Sequence, residues 1–497
     1  HEAMSLAGHL KLKNLVMLFD NNSISIDGPT NLAVSDNFKK RFEGYGWDYI
    51  SINGHNEKEI FKALKKVQKA KKPTVISCKT KIGYGSPNKS GKASSHGSPL
   101  GVDEIKLVRK ALNWKSKPFD IPNKILKDWR KIGQRGEILE KKWNKALKRK
   151  KIKFNQTLKN NFTTVLKKEK ENAIKEPKSL ATRKCSEMTL NALTKQKNNL
   201  IGGSADLAGS NNTKTKNHKI IKPGDFTGDY IHYGVREHAM SGVMNGIALH
   251  SNLIPYGGTF LIFSDYCKPS IRLSALMKKR VIYVMTHDSI GLGEDGPTHQ
   301  PVEHLAMLRA TPNMLVFRPA DTIETIEAWE TAIKSNKMPS ILALSRQNLQ
   351  TVRLMHTTKN LVSKGAYILK ESKNKRRVLL LASGSEIAIA LEAQEQLETK
   401  GIGTRVVSMP CWELFKEQDL VYRKKVLPTG PIRVAIEAGI EQGWERWLFG
   451  ERGNANKAAF VGMESFGASG PANELYENFK INATTVVERV NKLLLRS

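Results

Sequence analysis

The chain contains few cysteines, and none of them lies close to another along the sequence. The four are Cys78, Cys185, Cys267 and Cys411. No two have the short spacing of thiolate zinc sites or redox motifs, and their wide separation argues against a disulfide framework. We therefore expect reduced thiols, most of them buried in the folded protein.

Long apolar runs are also missing. No stretch of about 18 apolar residues predicts a membrane-spanning helix, and the residues that follow His1 carry no signal-peptide pattern. Hydrophobic residues make up 39% of the 497 positions, which fits a globular protein of two to four domains. The sequence predicts a cytoplasmic protein that does not interact with membranes.

Acidic residues are scarce relative to basic ones. The chain has 47 Asp and Glu against 81 Lys and Arg, a formal net charge of +34. Residues 115–175 concentrate this excess, with 20 Lys and Arg against 6 Asp and Glu. Such a charge makes nucleic-acid binding an alternative function, because Lys and Arg neutralise phosphates. We find no zinc-finger spacing or aromatic RNA-binding signature, so no specific nucleic-acid partner is predicted.

Short β-rich runs alternate with amphipathic helical stretches, which is typical of mostly parallel sheets covered by helices on both faces. Three α/β blocks are expected at residues 1–114, 176–350 and 360–497, with residues 115–175 as a basic connector. Many of the strands are followed by small or charged residues, where α/β folds place ligands. In the last block, the spacing of Ser383 and Glu386 predicts a capping box for the helix that follows "RVLLLA".

The segment "THDSIGLGEDGPTHQPVEH", residues 286–304, combines three histidines, two aspartates and two glutamates. Its glycines and Pro297 predict an irregular loop after the strand "VIYVM". Histidines beside carboxylates can bind a metal, relay protons or hold an anion. The spacing matches no helical zinc signature, so a metal site is the less favoured interpretation.

Other strand ends carry groups that suit an anionic ligand. They are Arg183, Asp206, Ser210 and Arg346. Guanidinium groups bind phosphates through paired hydrogen bonds, so two arginines, a serine and a histidine favour a small phosphorylated substrate.

Several long segments resemble, in order, the signature segments of the transketolase family. They are "DNNSISIDG", "GSPNKSGKASSHGSPLG", "GGSADLAGSN", "YGVREHAM", "YGGTFLIFSDY", "THDSIGLGEDGPTHQPVEH", "LSRQNL" and "VGMESFGASGP". The resemblance covers essentially the whole chain. It implies an α/β fold with three doubly wound, mostly parallel-sheet domains. Two would be thiamine-diphosphate-binding-fold domains, one for the diphosphate and one for the pyrimidine, followed by a C-terminal transketolase-type domain.

The resemblance assigns thiamine diphosphate as the cofactor. Glu237 matches the catalytic glutamate that hydrogen-bonds the aminopyrimidine ring, and Phe263 matches the residue that stacks on that ring. Asn22 and the backbone carbonyl of Ile24 match ligands of Mg²⁺ or Ca²⁺. The remaining residues with matching cofactor contacts are Ile26, His96, Asp206, Phe260 and Tyr266.

The resemblance also assigns residues to a sugar-phosphate substrate. His299 and His287 are implied as catalytic residues, with His299 protonating near the substrate carbonyl oxygen. Asp295 is implied to bind a hydroxyl near the reacting carbons. The other implied substrate contacts are His96, Arg183, Ser210 and Arg346.

The implied activity is reversible transfer of a two-carbon ketol unit from a ketose phosphate to an aldose phosphate, as in the pentose phosphate and carbon-fixing sugar pathways. A homodimer with active sites at the interface is also implied. Dihydroxyacetone synthase, and an inactive chain with nucleic-acid affinity, are the alternatives. The family's GDG motif, whose aspartate is a metal ligand, is not found before Asn22. We therefore expect the first domain to be incomplete and residues 1–497 alone to bind the cofactor poorly, to transfer little ketol and to aggregate.

Overall fold

The computed structural model describes residues 1–149, 162–195, 199–355, 358–450 and 455–496. The chain divides into two compact units. Unit 1 comprises residues 1–156 and 222–226, and unit 2 comprises residues 157–221 and 227–497. The finer domain boundaries expected at residues 114, 175 and 350 stay predictions.

Unit 1 is built around a three-stranded parallel sheet in the order β1-β5-β4. The strands of unit 1 are β1 Val16–Asn21, β2 Ile24–Ser25, β3 Gly28–Pro29, β4 Asp48–Asn53 and β5 Thr74–Lys79. The helices are α1 Glu2–His9, α2 Phe38–Gly44, α3 Glu57–Val67, α4 Val102–Ala111 and α5 Asn123–Arg149. The predicted strands "NLVMLFD" and "PTVISCK" form β1 and β5, the edge and the centre of this sheet.

Alternating side chains of β5 give unit 1 two apolar faces. Val75 packs with residues of α1 and α2 on one face, and Ile76 packs with Ala63 and Val67 of α3 on the other. A central strand buried on both faces explains why its sequence is continuously apolar. The long helix α5 has no buried residue, which agrees with its lysine-rich sequence.

The first sheet of unit 2 has six parallel strands in the order β11-β12-β10-β9-β7-β8. The strands of this part are β6 Leu180–Ala181, β7 Leu200–Ser204, β8 Tyr230–His232, β9 Ile254–Phe260, β10 Ile282–Thr286, β11 Leu315–Phe317, β12 Ser340–Leu344 and β13 Asn348–Leu349. The helices are α6 Phe162–Lys175, α7 Thr182–Thr194, α8 Ala208–Asn211, α9 Glu237–His250, α10 Ser264–Leu276, α11 His304–Arg309 and α12 Thr322–Lys334. The strands β9 and β10 lie at its centre and are buried throughout.

The second sheet of unit 2 has five strands in the order β14-β16-β15-β17-β18, and only β14 is antiparallel. Its strands are β14 Tyr367–Lys370, β15 Arg376–Ala382, β16 Gly403–Ser408, β17 Ile432–Ile436 and β18 Ala458–Val461. The helices are α13 Glu386–Thr399, α14 Trp412–Lys416, α15 Leu420–Val426, α16 Glu445–Phe449, α17 Ala472–Asn478 and α18 Ala483–Leu494. In the part of the chain that the structure describes, the three larger sheets are mostly parallel and flanked by helices. The predicted α/β fold class is therefore confirmed.

The predicted capping box of α13 is wrong. The residue that precedes the helix is Ser385, and no side chain caps the first turn. The Ser383 hydroxyl instead donates to Glu437, and the Glu386 carboxylate accepts from Arg318. Both residues are completely buried, so long-range ionic partners replace the local motif that the spacing suggested.

Two further expectations concern thiols and membranes. All four cysteines are free, and three of them are buried, as predicted. Among the helices that the structure describes, none has the length and apolar character needed to cross a bilayer.

Candidate active site

The predicted site residues of unit 2 gather at one edge of the six-stranded sheet. Asp206 follows β7, Glu237 follows β8, Phe260 ends β9, His287 follows β10 and Arg346 follows β12. The strands are parallel, so their carboxyl ends share an edge. This arrangement is the usual ligand-binding edge of an α/β sheet.

His287 is buried and strained at the centre of this edge. Its exposed fraction is 2%, and its backbone φ of 62° lies in the left-handed region, which is uncommon for a residue with a side chain. The Nδ1 atom lies 2.9 Å from Oγ1 of Thr286, and that hydroxyl donates to Oδ1 of Asn211 at 3.1 Å. Strained conformations of this kind persist where the surroundings fix them, and they cluster at functional sites.

An aromatic group surrounds His287. The Phe260 ring lies 3.7 Å from the His287 ring and stacks on Phe263 at a centroid distance of 5.6 Å. The His299 ring packs edge-on against both phenylalanines, at 6.2 and 5.7 Å. Tyr266 lies 5.8 Å from Phe263 and is 65% exposed. The structure therefore brings these five predicted residues together and leaves part of their aromatic surface open for a planar ligand.

Two arginines add positive charge beside His287. Arg183 donates to the backbone carbonyl of Ser210 at 2.8 Å, and Arg346 donates to the carbonyl of Leu292 at 2.9 Å. Burial, then Arg183, Arg346 and His299, lower the pKa of His287 to about 3. Burial and Arg346 also lower the pKa of Arg183, against an opposing effect of Asp295. His287 is therefore neutral at pH 7, among groups suited to an anion.

Glu237 and Asp206 occupy contrasting environments. Glu237 is the first residue of α9 and is 8% exposed. Its negative charge acts on the thiol of Cys267 in α10. Burial raises the pKa of that thiol to about 12, and the charges of Glu237 and Asp265 add to the rise. Asp206 is exposed and has a left-handed backbone, with a φ of 62°. A buried carboxylate and an exposed one at the same sheet edge can serve different roles.

The remaining predicted residues belong to unit 1. The Asn22 amide oxygen accepts from the backbone N–H of Ile24 at 3.1 Å, which fixes a tight turn before the β2–β3 hairpin. Ile26 is 71% exposed at the tip of this hairpin, and His96 is exposed after a short helical turn. An amide oxygen and a peptide carbonyl in one turn are oxygen donors that fit Mg²⁺ or Ca²⁺. In the parts of the chain that the structure describes, no three His, Cys, Asp or Glu side chains cluster as metal ligands.

Sequence reasoning missed a buried ionic cluster next to His287. Arg318 is fully buried, and its Nε donates to Asp288, the residue after His287, at 2.8 Å. Its Nη1 donates to Glu386 and lies 3.7 Å from Glu437. Asp288, Arg318, Glu386 and Glu437 form what we call the Arg318 cluster. The sequence did contain a signal for this cluster. Arg318, Glu386 and Glu437 each follow a buried strand within four residues, which places charged side chains at strand ends.

The Arg318 cluster is one of several contacts that attach the loop 287–303 to the last part of the chain. The Tyr476 hydroxyl donates to Glu386 at 2.7 Å and lies 3.5 Å from the Ser289 hydroxyl. Gln300 donates to the carbonyl of Ala468 at 2.8 Å, and Ser469 donates to the carbonyl of Glu294 at 2.6 Å. Residues of α13, of α17 and of the segment that precedes α17 thus support the loop that carries His287, Asp295 and His299.

One cavity of unit 2 lies elsewhere. It has a volume of about 720 Å³ and is lined by residues that include Arg309, Trp412, Arg446 and Trp447. None of the predicted site residues lines it. The Arg309 guanidinium is already engaged, since it stacks on Trp412 and donates twice to Glu437.

Models of protein families match nearly the whole chain. The transketolase thiamine diphosphate binding domain matches residues 1–170, the transketolase pyrimidine binding domain matches 178–352, and the transketolase-like C-terminal domain matches 365–482. The chain belongs to the transketolase family. This result confirms the predicted family, and the thiamine diphosphate binding domain supports the predicted cofactor.

Individual transketolases agree with this assignment. The transketolase of Rhodobacter capsulatus is 51% identical over 99% of this chain and 75% of its own length. A transketolase structure from Pichia stipitis in complex with sedoheptulose 7-phosphate has a TM-score of 0.91 and 37% identity, over 99% of this chain and 74% of that one. The transketolase of Leishmania mexicana has a TM-score of 0.89 and 37% identity, over 100% and 73%. The chain thus spans about three quarters of the length of these relatives.

Proposed function

We propose that this protein is a transketolase that moves a two-carbon ketol unit from a ketose phosphate, such as xylulose 5-phosphate, to an aldose phosphate, such as ribose 5-phosphate. The observation that carries the proposal is the convergence of His287, two arginines and an aromatic surface at the carboxyl edge of the six-stranded sheet. The Pichia stipitis relative, solved with sedoheptulose 7-phosphate, supports a sugar-phosphate substrate.

The aromatic surface and Glu237 are proposed to hold the cofactor. When bound, thiamine diphosphate supplies the carbanion chemistry that amino-acid side chains lack. Phe263 packs on the aminopyrimidine ring, with Phe260 and Tyr266 beside it. Buried Glu237 accepts a hydrogen bond from that ring and holds its tautomer, and Asp206 lies near the thiazolium ring. A carboxylate with little access to water keeps its hydrogen bond strong.

The charged groups are proposed to hold the sugar phosphate. Arg183 and Arg346 bind the phosphate through charged hydrogen bonds, with Ser210 beside them. Asp295 accepts from a substrate hydroxyl. His299 donates a proton near the carbonyl oxygen, and neutral His287 contacts the sugar phosphate and its nearby hydroxyls, beside the two arginines.

The predicted site residues of unit 1 are proposed to bind the diphosphate end of the cofactor. Asn22 and the Ile24 carbonyl bind Mg²⁺ or Ca²⁺, Ile26 contacts the cofactor, and His96 lies near the diphosphate and the substrate. We propose a homodimer with active sites at the interface and a cytoplasmic location. Sedimentation of the purified protein and fractionation of its host cells test these two points.

The decisive assay uses the protein produced from its complete gene, with thiamine diphosphate and Mg²⁺. We expect ketol transfer from xylulose 5-phosphate to ribose 5-phosphate that is lost when either thiamine diphosphate or metal is withheld. Faster turnover with formaldehyde as the acceptor would favour dihydroxyacetone synthase instead. Absence of transfer to either acceptor, together with tight nucleic-acid binding that weakens steeply with salt, would favour the inactive alternative.

A further inference from the structure

Each of the two arginines at the candidate site follows a buried hydroxyl residue in the chain. Thr182 precedes Arg183 at the start of α7, and Ser345 precedes Arg346 just after β12. Thr182 and Ser345 are 0% and 1% exposed. The backbone of such a neighbour sets the point from which the arginine side chain extends. The contacts of the two hydroxyls therefore bear on where the guanidinium groups lie.

Thr182 and Ser345 bind each other in both directions. The N–H and the hydroxyl of Thr182 donate to Oγ of Ser345, at 3.0 and 3.2 Å. The N–H of Ser345 donates to Oγ1 of Thr182 at 2.7 Å. The Ser345 hydroxyl donates its own proton to the carbonyl of Gln347 at 2.9 Å. We call Thr182 and Ser345 the hydroxyl clamp. Both of its protons are engaged, and burial keeps water from competing for them.

The hydroxyl clamp lies where two short segments run antiparallel. The strands β6 and β13 pair with Ala181 opposite Asn348, and the Ala181 N–H also donates to the Asn348 side chain at 3.0 Å. The Arg183 N–H donates to the carbonyl of Ser345 at 3.4 Å. The two segments are thus joined at the points where Arg183 and Arg346 leave the backbone.

Holding the two guanidinium groups near each other is electrostatically unfavourable. Burial lowers the pKa of Arg183, and the positive charge of Arg346 lowers it further. Each side chain has one more anchor, since Arg183 donates to the carbonyl of Ser210 and Arg346 to the carbonyl of Leu292. Like charges move apart unless the surrounding structure opposes it. An anion bound by both groups would offset the repulsion.

We infer that Thr182 and Ser345 are positioning residues whose mutual hydrogen bonds hold Arg183 and Arg346 side by side, so that the pair takes a phosphate group. The inference deepens the proposed function, because it rests on the binding of a sugar phosphate by the two arginines. The hydroxyl clamp does not contact the substrate itself. Its effect falls on the affinity for phosphate and not on the chemistry of ketol transfer.

Calorimetric titration with inorganic phosphate tests the hydroxyl clamp without catalysis. The protein produced from its complete gene is titrated at constant ionic strength, and Arg183→Met gives the background from other basic groups. Thr182→Val keeps the shape and removes the hydroxyl, and we expect it to weaken the phosphate Kd about tenfold. Thr182→Ser retains the hydroxyl and should bind phosphate as the wild type does. Wild-type affinity in Thr182→Val would overturn the inference.

The control is Thr189→Val, the same substitution in the same helix. Thr189 is 1% exposed, and its hydroxyl donates to the carbonyl of Cys185 within α7. We expect this variant to bind phosphate as the wild type does. A loss as large as that in Thr182→Val would overturn the inference, because any buried hydroxyl of α7 would then have the same effect.

Ser345→Ala tests the hydroxyl clamp from its other side and removes only one oxygen atom. Urea unfolding first establishes that each variant is folded. We expect Ser345→Ala to weaken the phosphate Kd about tenfold as well. This variant decides the question if Thr182→Val does not fold, and an unchanged phosphate Kd in it would overturn the inference.

Kinetics distinguishes positioning from a general structural role. Thr182→Val and Ser345→Ala should raise KM for a phosphorylated ketose about tenfold and leave its kcat close to the wild type. The KM for an unphosphorylated ketose should change little, and Thr182→Ser should keep the wild-type values. Equal effects on the two ketoses, or a fall in kcat alone, would overturn the inference.

The same experiments separate this inference from the proposed function. A wild type that binds phosphate more tightly than Arg183→Met but transfers no ketol would contradict the proposed function and leave the inference standing. Ketol transfer by the wild type, with phosphate Kd and KM unchanged in Thr182→Val and Ser345→Ala, would contradict the inference alone. Equal phosphate binding by the wild type and Arg183→Met would also overturn the inference, because the arginine pair would then hold no phosphate.

Discussion

Replacing Arg318 by methionine should destabilise unit 2 severely, because the change strands buried negative charge. Asp288 and Glu386 lose their main cation, whereas Glu437 keeps two hydrogen bonds from Arg309. Removing one partner of a buried ion pair typically costs about 3 to 5 kcal/mol. Asp288 and Glu386 are 2% and 0% exposed, so water does not replace the lost cation in the folded variant.

The size of the stability loss in Arg318→Met can also be derived from the protonation of a stranded carboxyl group. A stranded carboxyl can stay buried by taking up a proton. From an ordinary pKa of 3.8 for Asp288, protonation at pH 7 costs about 4 kcal/mol, and at pH 5 it costs about 1.6 kcal/mol. The pKa of the stranded group is raised in the folded variant, so its contribution to stability is intact below pH 3.8 and falls as the pH rises. The defect of Arg318→Met should therefore shrink by about 2 to 3 kcal/mol between pH 7 and pH 5.

Urea unfolding followed by circular dichroism, at both pH values, measures this defect. Arg376→Met is the matched control, since Arg376 is 32% exposed in a pair with Glu371, which is 49% exposed and also binds Arg405. Exposed pairs contribute about 1 kcal/mol or less. Adding Glu386→Gln and Asp288→Asn should recover part of the stability lost in Arg318→Met. Equal losses in the Arg318 and Arg376 variants, or an Arg318 defect that does not depend on pH, would refute this reasoning.

Three further predictions concern single carboxylates and the two arginines. Burial, and then Asp321, raise the pKa of Glu324 to about 7, so the wild type should lose stability relative to Glu324→Gln as the pH rises from about 4.5 to 7. Thermal unfolding across that range measures the difference, and parallel pH profiles would contradict it. Asp295→Ala should cost about 1 kcal/mol in kcat/KM for a substrate with the matching hydroxyl and less for the deoxy analogue; equal losses would exclude this role. Arg183→Met and Arg346→Met should each lower kcat/KM for phosphorylated donors by roughly 10- to 100-fold and for an unphosphorylated donor much less; equal losses for both donors would contradict phosphate binding.

The strands were predictable because their sequences carry the signal locally. Runs such as "VIYVM" and "RVLLLA" are continuously apolar, and they form the buried strands β10 and β15. The glycine-rich turn after β10 was likewise readable from its residues. Such patterns need no knowledge of partners that are distant in sequence.

The candidate site was predictable mainly through the resemblance to transketolases. Residue types and strand ends alone singled out Arg183, Arg346 and the histidines but left a metal site open. Without the resemblance, the three-residue spacing of Phe260, Phe263 and Tyr266 fits an ordinary helical core. In the structure, Phe260 ends a strand and Tyr266 is exposed.

The features that sequence reasoning missed depend on tertiary context. Glu386 pairs with Arg318, 68 residues earlier, and this partner overrides the local capping pattern of Ser383 and Glu386. The left-handed backbone of His287 has only a weak sequence signal, because residues other than glycine rarely adopt that conformation, even though asparagine, aspartate and histidine do so more often than the rest. Both features lie where residues distant in sequence, such as Arg318 and Ser469, hold the loop 287–303 in place.

Ketol transfer by Glu237→Gln, measured beside the wild type with both proteins produced from the complete gene, tests the central claim most directly. The substitution keeps the size of a side chain that is 8% exposed and removes its charge. Glu395→Gln, on the exposed side of α13, is the control for the loss of one carboxylate. We predict that Glu237→Gln folds and binds thiamine diphosphate but loses nearly all ketol transfer and the exchange of the cofactor's C2 hydrogen, whereas Glu395→Gln retains both. Normal C2 exchange and transfer in Glu237→Gln would contradict the proposed active site.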